Sequence, residues 1–141
     1  MSNGNILFNT GGEMEVMSLQ DLSQFGLAEL CFYWTWISGI SEFSVEESAR
    51  IHKVTSRHLR RYFVTRFGIS AQDWMQNCRM IKARNLLRTN MSCKEISFLL
   101  NYSYTSHFCR SFRRTYGITP EHYRTLQKTL SSSILSVGGF Q

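Results

Sequence analysis

From residue 18 onward, apolar residues recur three or four positions apart, the period of helices with one buried face. Leu19, Leu22 and Phe25, followed by Leu27, Leu30, Trp34 and Ile37, form the first such stripe. Ser18 is placed to cap it, with Asp21 three residues on, and Gly26 interrupts it. Cys31, Tyr33 and Trp36 widen the stripe until little of the helix can face water, which predicts a core element. The competing reading is an exposed aromatic surface that docks a partner.

A second set of elements follows a loop at 39–43. Ser44 caps a helix with Glu46 and Glu47 in its first turn, running to Ile51 or His52. Thr55 caps the next, Ser56–Phe67, which Gly68 ends. Ser70 opens a long segment over 71–88, about 27 Å of helix at 1.5 Å per residue. Ser92 caps a helix over 93–100, and Asn101 sits where the chain must turn. Ser103 or Tyr104 begins a helix that continues to Tyr116 and stops at Gly117. Thr119-Pro120 then opens a last helix over 121–130, with proline at its favoured first position. Residues 1–12 are polar and expected to fray, and 131–141, rich in Ser and Gly, read as a disordered tail. A single proline in 141 residues agrees with an all-α chain rather than a sandwich or barrel.

These elements contain a repeat. Arg57-His58-Leu59 aligns with Ser106-His107-Phe108 at an offset of 49, which continues through Phe63/Phe112, Gly68/Gly117 and Ile69/Ile118. In the preceding helices the offset is 48, as in Glu47/Glu95, Ala49/Ser97 and Thr55/Ser103. The change places one extra residue in the second turn. A duplicated helix-turn-helix joined by a long helix suggests a paired binding device, because a solenoid needs three or more copies.

Charge says what such a device binds. Residues 1–49 hold seven acids and no Lys or Arg; residues 50–141 hold all sixteen bases and three acids, a local formal charge of +13. That asymmetry is the footprint of a polyanion binder, against the alternative of a solvated basic face. A helix fits the major groove of duplex DNA, where outward residues of its N-terminal half meet base edges. With Leu59 and Phe63 inward, Arg57, Arg60 and Arg61 face out; with Phe108 and Phe112 inward, Thr105, Ser106, Cys109 and Arg110 face out. Arginine there bonds guanine bidentately or clamps phosphate.

The second unit then becomes specific. Glu95-Ile96, Tyr102-Ser103, Ser106, Phe108, Arg110, Phe112-Arg113, Tyr116-Gly117-Ile118-Thr119-Pro120 and Tyr123-Arg124 resemble the C-terminal signature of AraC/XylS-family transcription regulators. The resemblance covers residues 43–124. It implies a seven-helix domain over 43–130 with two helix-turn-helix subdomains (44–68 and 92–117) and a linker helix at 70–89, preceded by a short helical extension at 1–42. It further implies a cytoplasmic bacterial activator that binds double-stranded DNA asymmetrically and works with RNA polymerase. Carried over by position, its base-contacting sites fall on Arg57, Arg60, Arg61, Thr105, Ser106 and Arg110. Its backbone-contacting candidates are Thr55, His58, Ser103, Arg113 and Arg114.

The chain departs from that pattern at several places. Lys53 and Asn101 stand where the family usually has a turn glycine, and Ser48 and Ser97 replace apolar residues. Forty-two residues before the first unit are too few for an effector domain, which implies a small stand-alone member or a fragment. No nucleophile–base pair, phosphate loop or metal constellation stands out, so neither catalysis nor a cofactor is expected. The four cysteines lie singly in helical patterns and read as reduced thiols. The stretch from Leu27 to Ile37 is too short to span a bilayer. The alternative function is a protein-interaction regulator, whose aromatic N-terminal helix docks a chaperone or anti-activator.

Overall fold

The structure is a computed structural model that describes residues 11–138, with eight α-helices among them. They are α1 (Leu19–Leu22), α2 (Leu27–Ile40), α3 (Val45–Ile51), α4 (Ser56–Phe67), α5 (Ala71–Leu86), α6 (Cys93–Leu99), α7 (Thr105–Tyr116) and α8 (Pro120–Gly138). The chain divides into two compact units between Cys78 and Arg79, so α5 gives its first half to one and its second half to the other.

In the first unit, Leu22, Phe25, Leu30, Trp34, Ile37, Val45, Ala49, Leu59, Phe63 and Met75 form a buried apolar core. Gly26 separates α1 from α2, and its N–H donates to the Glu29 carboxylate at 2.8 Å. The aromatic stripe of α2 divides between two faces. Tyr33, Trp34 and Ile37 are buried, whereas Leu27, Phe32 and Ile40 are exposed. The core also contains a polar chain. The Ser48 carbonyl can only accept, so His52 Nδ1 donates to it at 2.8 Å. His52 Nε2 then accepts from the Tyr33 hydroxyl at 2.7 Å, and that hydroxyl accepts from the Met17 N–H at 3.0 Å. The segment ahead of α1 is thereby tied to the end of α3. Burial pushes the Tyr33 phenol up to about 12 and the His52 imidazole below its ordinary value.

The second unit is simpler. Met80, Ala83, Leu87, Ile96, Leu100, Phe108 and Phe112 are buried, and its helix ends are tied by polar contacts. Ser92 and Glu95 cap each other's backbone at 3.1 and 2.8 Å. Arg124 donates to the carbonyls of Leu87 and Met91. The Arg79 guanidinium lies 4.2 Å from the centre of the Tyr102 ring.

The two turns share one construction. In the first, His52 N–H donates to Ser48 O, Lys53 takes φ 57°, and Val54 N–H donates back to Ala49 O. In the second, Leu100 N–H donates to Ile96 O, Asn101 takes φ 68°, and Tyr102 N–H donates back to Ser97 O. Every position is displaced by 48, as the sequence repeat requires. From the left-handed residue to the first helical residue, the chain then takes three steps in the first unit and four in the second. The extra residue therefore lies in the second turn.

One expectation is corrected. The last helix does not end near Leu130 with a disordered tail beyond it; α8 continues through 131–138. Ser-Ser-Ser at 131–133 breaks the sequence signal, but serine is only mildly unfavourable in a helix already propagating from Pro120. Residues 139–141 and the polar start at 1–10 lie outside the described residues.

Candidate nucleic-acid interface

Helix α4 is set by its cap and its buried face. Thr55 Oγ1 accepts from the His58 N–H at 3.0 Å, and Leu59 and Phe63 are fully buried. With those two inward, Arg57, His58, Arg60 and Arg61 are all exposed. Arg57 and Arg61 share one face at i, i+4 and, among the described residues, carry no ion pair. Arg60 differs: its guanidinium meets the Glu46 carboxylate at 2.5 Å. Residues 50–141 hold only three acids, and Arg60 takes its partner from upstream of them, in Glu46 on α3. Both partners are substantially exposed, so the pair contributes little stability and is easily exchanged for another anion.

Helix α7 follows the same plan with different residues. Phe108 and Phe112 are fully buried; Ser103, Ser106, Arg110, Arg113 and Arg114 are exposed, and Thr105 is half-buried. Cys109, read as facing outward, is also half-buried, and burial pushes its thiol upward. Thus Arg57, His58, Arg60 and Arg61 share the solvent side of α4, and Ser106, Arg110, Arg113 and Arg114 that of α7, whereas Thr55 and Ser103 precede those helices and Thr105 is half-buried. The sign of that face is positive in both.

Two residues at the start of α7 stand beside the assigned contact positions without being among them. Tyr104 is the N-cap residue, and its ring is 67% exposed. His107 is exposed beside it, the ring centres 5.7 Å apart and nearly perpendicular. Nothing in the apolar period marks Tyr104, because it lies just outside the helix. No helix of the described residues is long and apolar enough to cross a membrane.

Residues 48–126 match a family model described as a helix-turn-helix domain. The HTH-type transcriptional regulator RipA of Corynebacterium glutamicum is 34% identical over 90 residues, covering 64% of this chain and 27% of that protein. The HTH-type transcriptional activator RhaS of Enterobacter sp. (strain 638) is 32% identical over 84 residues, covering 59% of this chain and 30% of that protein. The chain therefore matches less than a third of the length of either relative. The DNA-binding domain of AdpA, whose crystal structure contains a target DNA, aligns with a TM-score of 0.62 at 24% identity. That alignment covers 71% of this chain and 93% of that domain, a likeness of fold. With two matching helix-turn-helix units and a family match through more than half its length, the chain belongs to the AraC-type family of helix-turn-helix domains.

Proposed function

We propose that this protein is a bacterial, cytoplasmic, sequence-specific DNA-binding transcription activator. In this reading α4 and α7 each enter a major groove, and the two grooves are successive, about 34 Å apart. Arg57, Arg60, Arg61, Thr105, Ser106 and Arg110 meet base edges. Thr55, His58, Ser103, Arg113 and Arg114 hold the phosphate backbone. Residues 43–130 form the reading domain, preceded by an extension at 1–42 of which Met14, Met17 and Leu19 pack on the first unit's core. Activation implies contact with RNA polymerase, a partner suggested by the activator named among the relatives.

The observation that carries this reading is the exposed arginine face of α4, opposite the buried Leu59 and Phe63. Arg57 and Arg61 on one solvated helix face repel one another in the free protein, Arg60 is balanced there by Glu46, and a polyanion relieves the repulsion. Duplex binding on a site selected from a random library tests it. Affinity is expected to fall by orders of magnitude between low and physiological salt. Footprinting is expected to protect two patches one helical turn apart. A flat salt dependence would instead favour the protein-interaction role.

A further inference from the structure

The first residue of each recognition helix is introduced differently, and the difference has a chemical meaning. In the first unit Thr55 occupies the N-cap, and its hydroxyl accepts from the His58 N–H. In the second unit the N-cap is Tyr104, which makes no side-chain cap bond; the His107 N–H donates instead to the Tyr104 carbonyl at 3.1 Å. A tyrosine here costs the free protein the stabilisation that serine, threonine or aspartate supplies at this position. It also leaves an aromatic residue 67% exposed, its ring nearly perpendicular to that of His107. The turn that carries it has one more residue than its counterpart, which carries no such ring.

We infer that Tyr104 is a specificity-determining residue, whose ring covers the C5-methyl group of a thymine in the half-site read by α7. This rests on the DNA-binding reading above. The N-terminal end of a recognition helix is the part that approaches base edges, and Tyr104 stands there beside Ser106 and His107. Thr105 and Ser106 are too short for the bidentate bonds that arginine makes, so apolar contact is the readout this end can still supply. In the major groove the thymine methyl is the apolar mark that tells one base pair from the others. His107, its ring centre 5.7 Å away and nearly perpendicular, flanks Tyr104 at this end of the helix.

The test is a uracil scan, which deletes one methyl at a time from a selected duplex. For the wild-type chain, replacing one thymine in the α7 half-site by uracil is expected to weaken binding about fourfold, the equivalent of one buried methyl. Tyr104→Phe keeps that discrimination. Tyr104→Ala and Tyr104→Ser abolish it while leaving affinity for random duplex unchanged. Because serine restores a capping group, Tyr104→Ser is expected to melt no lower than wild type, which separates lost reading from lost folding. A flat scan in wild type, or the same thymine preference in the Ser and Ala variants, overturns the inference. So does a uniform loss in Tyr104→Phe on every duplex, which assigns the hydroxyl to a phosphate instead. If the wild-type chain selects no duplex at all, the DNA-binding reading itself falls, and this inference with it.

Discussion

The two helix-turn-helix units use one backbone plan with opposite allocations of side chains. The first places Arg57, Arg60 and Arg61 in the N-terminal half of its second helix and caps it with threonine, but burdens its interior. Ser48 is fully buried with no partner for its hydroxyl, His52 and Tyr33 sit in the core, and Lys53 takes a left-handed turn conformation. The second unit has a plainer core of Phe108, Phe112, Ile96 and Leu100, and its left-handed turn residue is asparagine. Its second helix, however, begins without a side-chain cap and places Thr105 and Ser106 first, its exposed arginines, Arg110, Arg113 and Arg114, coming later. Sequence reading and stability are thus weighted differently in the two copies. On the proposed function, the first unit would be the richer reader, on the more strained frame.

The largest expected effect is on binding. Arg61→Ala and Arg110→Ala should each weaken affinity for a selected duplex by about 1–3 kcal/mol, with Arg61→Ala at the upper end. A gel-shift titration in which both variants match wild type would remove the comparison altogether.

The cores separate next, through pH. His52 is held neutral by burial, so its folded value lies below the ordinary 6.5. The unfolded chain therefore binds the extra proton first, and stability is complete above about 6.5 and falls as pH drops through that value. All three tryptophans, Trp34, Trp36 and Trp74, belong to the first unit, so their fluorescence follows its unfolding. The urea midpoint read this way should drop between pH 7 and 5.5, and His52→Gln should flatten the drop. An unchanged wild-type midpoint would mean that the imidazole is not held neutral.

Ser48→Ala removes a buried hydroxyl without a partner and should stabilise the first unit by about 1 kcal/mol. A lower midpoint in this variant would show that the hydroxyl is satisfied. The turns give a smaller, paired test. Lys53→Gly should stabilise by about 1 kcal/mol, because a lysine in the left-handed region carries the Cβ penalty in full. Asn101→Gly should gain only a few tenths, since asparagine tolerates that conformation. Equal gains in thermal melts would erase this contrast between the turns. Smallest is Glu46→Gln, which releases Arg60 from an exposed pair. It should shift stability by less than about 1 kcal/mol and raise duplex affinity at low salt. Unchanged affinity would mean that Arg60 takes no part in binding.

Much of this was legible in the chain because helix caps and apolar periods are local signals. Ser44, Thr55 and Ser92 cap where the sequence places them, and Gly68 and Gly117 end their helices with positive φ. The inward pairs Leu59/Phe63 and Phe108/Phe112 fixed which residues face out, so the arginine face could be drawn before any coordinates. What stayed hidden depends on contacts between distant positions. His52 looks like any helix-end histidine until Tyr33, nineteen residues earlier, is seen to donate to it. Glu46 reads as a first-turn acid satisfying a helix dipole, and its bond to Arg60 needs the packing of α3 on α4. Tyr104 could be located by the shift of offset from 48 to 49, yet only its exposure and missing cap bond set it apart. The run of α8 beyond Leu130 was lost because three serines in a row mimic a linker.

The most direct test is the specificity ratio, selected duplex over scrambled duplex at one salt concentration, compared for changes in the two recognition helices. Arg57→Ala combined with Arg61→Ala should collapse the ratio toward one, whereas Arg110→Ala should leave a clear preference for the selected site. A ratio that survives the α4 double variant, or falls further in Arg110→Ala, would contradict the assignment of the main reading role to the first unit.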